Sequence, residues 1–127
     1  FDISLTLITL EIAMTTLIAG TVEIPGGARD QALADAAALM GETRAQKGCV
    51  HYVWAADPTS DSRVYVYENW TSTEDLAAHL AGPCYAQMLA LLGKYNVTSA
   101  EVSKFRTDLE EPVYDPEGRP RADFFTA

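Results

Sequence analysis

The sequence predicts a single α+β domain whose elements run β-α-β-β-α-β. Three observations carry that prediction: β-branched and aromatic runs near residues 15–24, 49–56 and 63–70, apolar stripes at helical spacing after residues 28 and 82, and glycine or proline between the runs. At 127 residues the chain fits one domain with one core.

The segment TTLIAGTVEI, Thr15 to Ile24, is rich in β-formers and stops at Pro25-Gly26-Gly27, which makes it the first strand. In ARDQALADAAALMGETRAQK, Leu33, Ala36, Ala37 and Met40 fall at i, i+3, i+4 and i+7, and Gly48 closes the run. This is an amphipathic helix with a small apolar face toward a sheet. CVHYVWAA (Cys49 to Ala56) and RVYVYENW (Arg63 to Trp70) flank the polar Asp57-Pro58-Thr59-Ser60-Asp61 and read as a hairpin. Thr71 and Glu74 have the spacing of a capping box, so a helix starts there. Gly82-Pro83 interrupts it; Pro83 suits the first turn of a second short helix, striped by Tyr85, Met88, Leu89 and Leu92 and ended by Gly93. Ser99 to Leu109, with Val102, Phe105 and Leu109, fits an exposed-edge or interface strand.

This order gives a ferredoxin-like arrangement: a four-stranded antiparallel sheet with its helices on one face. The uncovered face carries apolar residues as well, and another copy of the chain is the simplest cover, so a homodimer is expected. The domain is assigned to residues 14–110. Residues 1–13 read as a leader, with a native start at or near Met14, although the alternation of Phe1, Ile3, Leu5 and Leu7 also suits an extra strand. Residues 111–127, with Pro112, Pro116, Gly118 and Pro120 among charges, read as an extended tail.

Nine Lys and Arg against 18 Asp and Glu give a net charge of −9, which argues against nucleic acid and anionic membranes as partners. Between Glu101 and Ala127 seven acids face four basic residues, so part of the acidity is solubilising surface around the last strand and tail. Asp2 and Glu11 interrupt the first apolar stretch, which is short of a membrane span. Cys49 and Cys84 are too few for a disulfide framework and read as reduced thiols of a cytoplasmic protein.

Two residues stand out as chemistry. His79 lies on the inward stripe of its helix, three residues after Leu76, where an imidazole is either a structural tie or a general base. Glu68 alternates with Val64, Val66 and Trp70 on one strand face, where an unpaired carboxylate is costly. A Glu68–His79 hydrogen bond would settle both, either as a structural pair or as an oriented base. Tyr52, Trp54, Tyr65, Tyr67, Trp70 and Tyr85 are core, interface or the walls of a pocket for a flat aromatic ligand. Cys49-x-His51 places two potential ligands on one strand face, too few for a metal site, and none is assigned. The motifs of dinucleotide binding, NTP hydrolysis and serine hydrolysis are missing from the sequence.

Lys47-Gly48-Cys49, Tyr52, Asp57-Pro58, Val66-Tyr67-Glu68-Asn69-Trp70-Thr71-Ser72, Leu76-Ala77-Ala78-His79-Leu80 and Gly82-Pro83 together resemble the antibiotic biosynthesis monooxygenase family, over residues 14 to 106. The resemblance implies a dimeric α+β barrel. It also implies a choice among cofactor-independent quinol and polyketide oxygenases, haem-degrading enzymes and an isomerase of a phosphorylated sugar. Met88 and Leu89 stand where the haem-degrading branch carries a His, Val66 and Leu76 stand where the polyketide oxygenases carry Asn and Tyr, and Cys84 replaces a His of the quinol-oxidising branch. Glu68, Trp70 and His79 survive from the shared pattern. The expectation is a cofactor-independent monooxygenase acting on a quinol or hydroxylated aromatic small molecule. His79, oriented by Glu68, would take the phenolic proton; Trp70, Tyr52, Trp54, Tyr85 and Met88 would contact the substrate. The alternatives are an isomerase of a small carbonyl compound using the same pair, and a non-catalytic ligand-binding dimer module.

Overall fold

Strand β1 (Thr15–Glu23) lies at the centre of the sheet because it pairs on both edges, with β3 (Arg63–Trp70) on one side and β4 (Ser99–Thr107) on the other. The computed structural model describes residues 15–126; the leader assigned to residues 1–13 lies outside them. Helix α1 (Arg29–Arg44), β2 (Cys49–Ala56), α2 (Thr73–Leu80) and α3 (Pro83–Gly93) complete the order. The sheet runs β2-β3-β1-β4 with every pair antiparallel, the ferredoxin-like topology expected. β2 and β3 have the residue limits read from the sequence, and β4 ends at Thr107 rather than Leu109.

Pleating sorts the strands into two faces. Tyr52, Glu68, Ile18 and Lys104 form one cross-strand row on the helix side; His51, Asn69, Leu17 and Phe105 form the adjacent row on the open side. Under the helices lie two packed clusters, one around Trp70, Tyr52, Leu39, Met40, Leu76 and Met88, the other around Val22, Ile24, Ala32, Val64 and Val66.

Three local details differ from the expected pattern, each for a physical reason. The buried stripe of α1 is Ala32, Ala36, Leu39, Met40 and Thr43, while Ala37 is exposed and Leu33 half-buried. The first residue of the helix is tied to the β2–β3 loop: the Arg29 guanidinium is buried and donates to the carbonyls of Asp57 (3.1 Å), Arg63 (3.2 Å) and Ser60. Helix α2 is capped by Ser72, whose hydroxyl accepts from the Asp75 N–H at 3.1 Å, not by Thr71. Thr71 is still part of the sheet frame, its N–H donating to the Gly48 carbonyl at 2.9 Å. Gly48 is not the cap of α1, which ends at Arg44; it sits at φ +82°, and a Cβ there would meet the Asp75 side chain within 2.3–2.5 Å. Only glycine fits both the turn and the approach of the α2 cap.

On α3, Pro83 occupies the first turn as expected; of its stripe, Met88 is buried, Tyr85 and Leu92 are half-buried, and Leu89 is 52% exposed. In the tail the buried Asp115 carboxylate accepts from the backbone N–H groups of Glu117 (3.0 Å) and Arg119 (2.9 Å) and pairs with the Arg119 and Arg121 side chains. Those donors, the Arg119 backbone first, hold its pKa below the usual carboxylate range. Among the described residues, no single helix is long and apolar enough to cross a membrane.

Candidate active site

A cavity of about 560 Å³ opens between the helix-side face of the sheet and helices α2 and α3. Its lining is mostly apolar and includes Val66, Met88 and Leu92, with Tyr52, Trp54 and Tyr85 as aromatic walls and Glu68 as its carboxylate. Four residues assigned to substrate contact therefore meet here: Tyr52, Trp54, Tyr85 and Met88. Trp70 does not. It is fully buried behind the wall, packed in the core cluster with Leu39, Met40 and Leu76. Tyr65 and Tyr67 alternate out to the other face and are exposed.

Glu68 lies on β3 directly opposite Tyr52 and is 7% exposed. One carboxylate oxygen accepts from the Trp70 Nε1–H at 2.9 Å. Burial pushes the Glu68 carboxyl above the ordinary carboxylate range, and the Trp70 bond opposes that only in part.

His79 is 3% exposed and sits in an aromatic box, its ring stacked on Trp70 at 4.8 Å between centroids and edge-on to Tyr52 (5.7 Å) and Tyr85 (5.9 Å). The expected Glu68–His79 hydrogen bond is not made. Instead His79 Nδ1 meets Gln46 Oε1 at 2.8 Å, and the indole of Trp70 stands between the imidazole and the carboxylate, stacking on one and donating to the other. With an amide oxygen as partner, Nδ1 is the donor and Nε2 carries the lone pair. Burial lowers the pKa of His79, which favours the neutral ring. His79 does not line the cavity; Glu68 does.

Two buried polar atoms make no hydrogen bond among the described residues: Trp54 Nε1 and Asn69 Oδ1. Trp54 lines the cavity, whereas Asn69 lies on the open face of the sheet. Cys49 and His51 do not share a face as expected, because a β-bulge between them pairs Cys49 with Trp70 and His51 with Asn69. Among the described residues, no three His, Cys, Asp or Glu side chains converge as a metal ligand set would.

Gln46 was not foreseeable from the sequence. It is a polar residue in a charged turn, and nothing in its neighbourhood marks it as the partner of a histidine 33 positions later.

Comparison with known proteins bears on this geometry. The sequence model of the antibiotic biosynthesis monooxygenase family matches residues 16–91, more than half of the chain. No curated protein matches at a significant level. Among solved structures, a protein from Mycobacterium tuberculosis is 23% identical, covering 77% of this chain and 97% of its own, with a TM-score of 0.64. A Bacteroides thetaiotaomicron protein described as a possible oxidoreductase is 23% identical over 75% of this chain and 96% of its own, at TM-score 0.59. A Deinococcus radiodurans protein, a candidate antibiotic biosynthesis monooxygenase, is 22% identical over 71% and 89%, at TM-score 0.58. At such identities the likeness to these structures is one of fold.

Proposed function

The chain belongs to the antibiotic biosynthesis monooxygenase family, and from that premise we propose that it oxygenates a quinol or another hydroxylated aromatic small molecule, with Glu68 as proton acceptor. The observation that carries this reading is a buried carboxylate, raised in pKa, facing an apolar cavity with aromatic walls. A base poised above the ordinary carboxylate range is better matched to a weakly acidic O–H. The apolar walls hold the ring and keep water from the anion.

Glu68 takes the hydroxyl proton, and the electron-rich anion reduces O₂. One oxygen atom forms a bond to a ring carbon as hydroperoxide. The O–O bond then breaks as that carbon loses its hydrogen, leaving a C=O group and one molecule of water. The substrate supplies all the electrons, so the proposed reaction calls for no flavin and no metal. His79 acts at one remove: stacked on Trp70 and tied to Gln46, it keeps the indole N–H aimed at Glu68. This reassigns the base from His79, which lies behind the wall, to Glu68, which faces the cavity.

A second copy of the chain is part of the proposal. Tyr65, Tyr67 and Phe105 are exposed, and Asn69 Oδ1 is buried without a donor among the described residues, all on the open face of the sheet. The two free cysteines suit a reducing compartment such as the cytoplasm.

The test is oxygen uptake with quinols and anthrones. Uptake should match product one to one, and Glu68→Gln should lower the rate about 100-fold or more. Turnover that the Glu68→Gln change leaves intact, or no uptake with any substrate of this class, overturns the reading. Conversion without oxygen uptake would turn the same pocket into that of an isomerase.

A further inference from the structure

The tail is an ordered hook turned inside out. Residues 108–126 follow β4 and lie past residue 91, where the match to the family's sequence model ends. Two carboxylates hold the segment in shape. Asp115 is buried in the bend, accepting from the backbone of Glu117 and Arg119 and pairing with the side chains of Arg119 and Arg121. Glu111 clasps the two ends together: its carboxylate accepts from the N–H groups of Phe125 (3.1 Å) and Thr126 (3.0 Å) and from the Thr126 hydroxyl (2.7 Å). The Arg121 guanidinium lies over the Phe125 ring, 5.3 Å from its centroid. The buried group of the hook is thus a charge, while Val113, Tyr114 and Phe124 stand 60–66% exposed. A charge inside and large apolar side chains outside reverse what a free-standing segment favours in water, and mark a surface made to be covered.

The hook sits at the rim of the open face. A groove of about 380 Å³ runs between them, lined by Leu17, Tyr67 and Asn69 from the sheet and by Leu109, Glu111 and Phe124 from the tail. Phe124 belongs both to this groove and to the exposed apolar set, so tail and face form one continuous surface. The middle of that face is uncharged: the row of His51, Asn69, Leu17 and Phe105 and the next, centred on Tyr67 and Ala19, contain no Asp, Glu, Lys or Arg. In a two-fold contact each patch meets its own copy, so like charges would face one another. A chain of net charge −9 approaches itself most readily through a neutral patch. A neutral, partly aromatic face therefore suits a second copy, whereas a basic partner would be drawn to the acidic surface elsewhere.

We propose that the tail is a clamp between copies: Val113, Tyr114 and Phe124 of each chain pack against a second copy seated on the open face. The inference rests on the second copy proposed above and gives it a contact that the four-stranded domain alone does not contain. Because Asp115 and Glu111 already hold the hook in shape, little conformational freedom is lost when it docks. By symmetry the contact occurs twice, so each apolar group removed is lost twice per dimer.

Sedimentation equilibrium of the full chain over a concentration series gives the dissociation constant of the dimer. Replacing Val113, Tyr114 and Phe124 together by Ser should raise it about 100-fold or more, with the far-UV spectrum unchanged. Asp115→Ala, which keeps those three side chains but opens the bend that presents them, should raise it about tenfold. In a dimer of one ¹³C-labelled and one unlabelled chain, the Tyr114 and Phe124 rings should show nuclear Overhauser contacts to the partner copy. A dimer that the triple substitution leaves equally tight, or one without those contacts, overturns the clamp; if Phe105→Asp still dissociates it, the second copy on the open face stands. A constant raised by the tail substitutions but not by Phe105→Asp sustains the tail contact and sinks the seat on the open face. A wild-type chain that stays monomeric at every concentration overturns both.

Discussion

Strand β3 shows two chemistries one residue apart. Glu68 points under the helices, is 7% exposed, and has a hydrogen bond from Trp70. Asn69 points to the open face, where its Oδ1 is buried and has no partner among the described residues, and Tyr67 on that face is 37% exposed. Among the described residues, the helix side leaves one buried side-chain polar atom unmet, Trp54 Nε1, and that residue lines the cavity. The open side leaves both an acceptor and aromatic surface unmet over a broad area. A cavity with a few unmet groups suits a small ligand, whereas a wide face with unmet groups suits another protein surface.

Substitutions on the two faces should separate these roles. The largest effect is expected from Trp70→Ala, which removes a fully buried indole, the donor to Glu68 and the ring that supports His79; it should cost about 3–5 kcal/mol in chemical denaturation. Tyr67→Ala, three residues earlier on the exposed face, should cost the isolated chain less than about 1 kcal/mol. Equal costs would erase the contrast. Phe105→Asp should next shift sedimentation from dimer to monomer, weakening self-association more than about tenfold by placing a charge on the apolar face; an unchanged sedimentation coefficient would remove the second copy from that face.

Gln46→Ala should cost about 1–2 kcal/mol by leaving the buried His79 Nδ1–H without its acceptor. The ¹⁵N shifts of the imidazole should then move from one tautomer toward a mixture, and shifts matching wild type would show that another group sets the proton's place.

Smallest is the pH dependence at Glu68. Its pKa is raised in the folded chain, so the fold binds that proton more tightly than the unfolded chain does, and the contribution is stabilising at low pH and lost as pH rises through the folded value. Glu68→Gln removes the loss. Its melting temperature should exceed wild type by a few degrees at neutral pH, with the gap closing below the ordinary carboxylate range. A gap that widens toward acid would mean that the carboxylate is favoured, rather than penalised, by its surroundings. Activity follows the opposite course, because the proposed base works only when ionised and its acid limb should lie above the ordinary carboxylate value.

The strands and helices were legible in the sequence because each is bounded by strong chemistry: Pro25-Gly26-Gly27, Asp57-Pro58 and Gly82-Pro83 leave little freedom in where elements stop. The inward placement of Glu68 was legible too, since it follows from strict alternation along β3. What failed was pairing. Glu68 and His79 are both inward, but residue type and spacing do not reveal that an indole fits between them, nor that Gln46 reaches His79 from the turn after α1. The anchoring of α1 by Arg29 to a loop 28 to 34 residues away is likewise a contact that no local periodicity carries.

The bulge at the start of β2 acts on its strand as a frameshift acts on a message. Tyr52 is fixed opposite Glu68 and His51 opposite Asn69, so an unbroken alternation would bring Cys49 out on the open face with His51. One extra residue, Val50, rephases the strand and returns Cys49 to the core cluster, where burial pushes its thiol up and keeps it poorly reactive. Without it the thiol would lie on the open face beside His51. The bulge thus keeps a thiol off the face that the proposed second copy would cover.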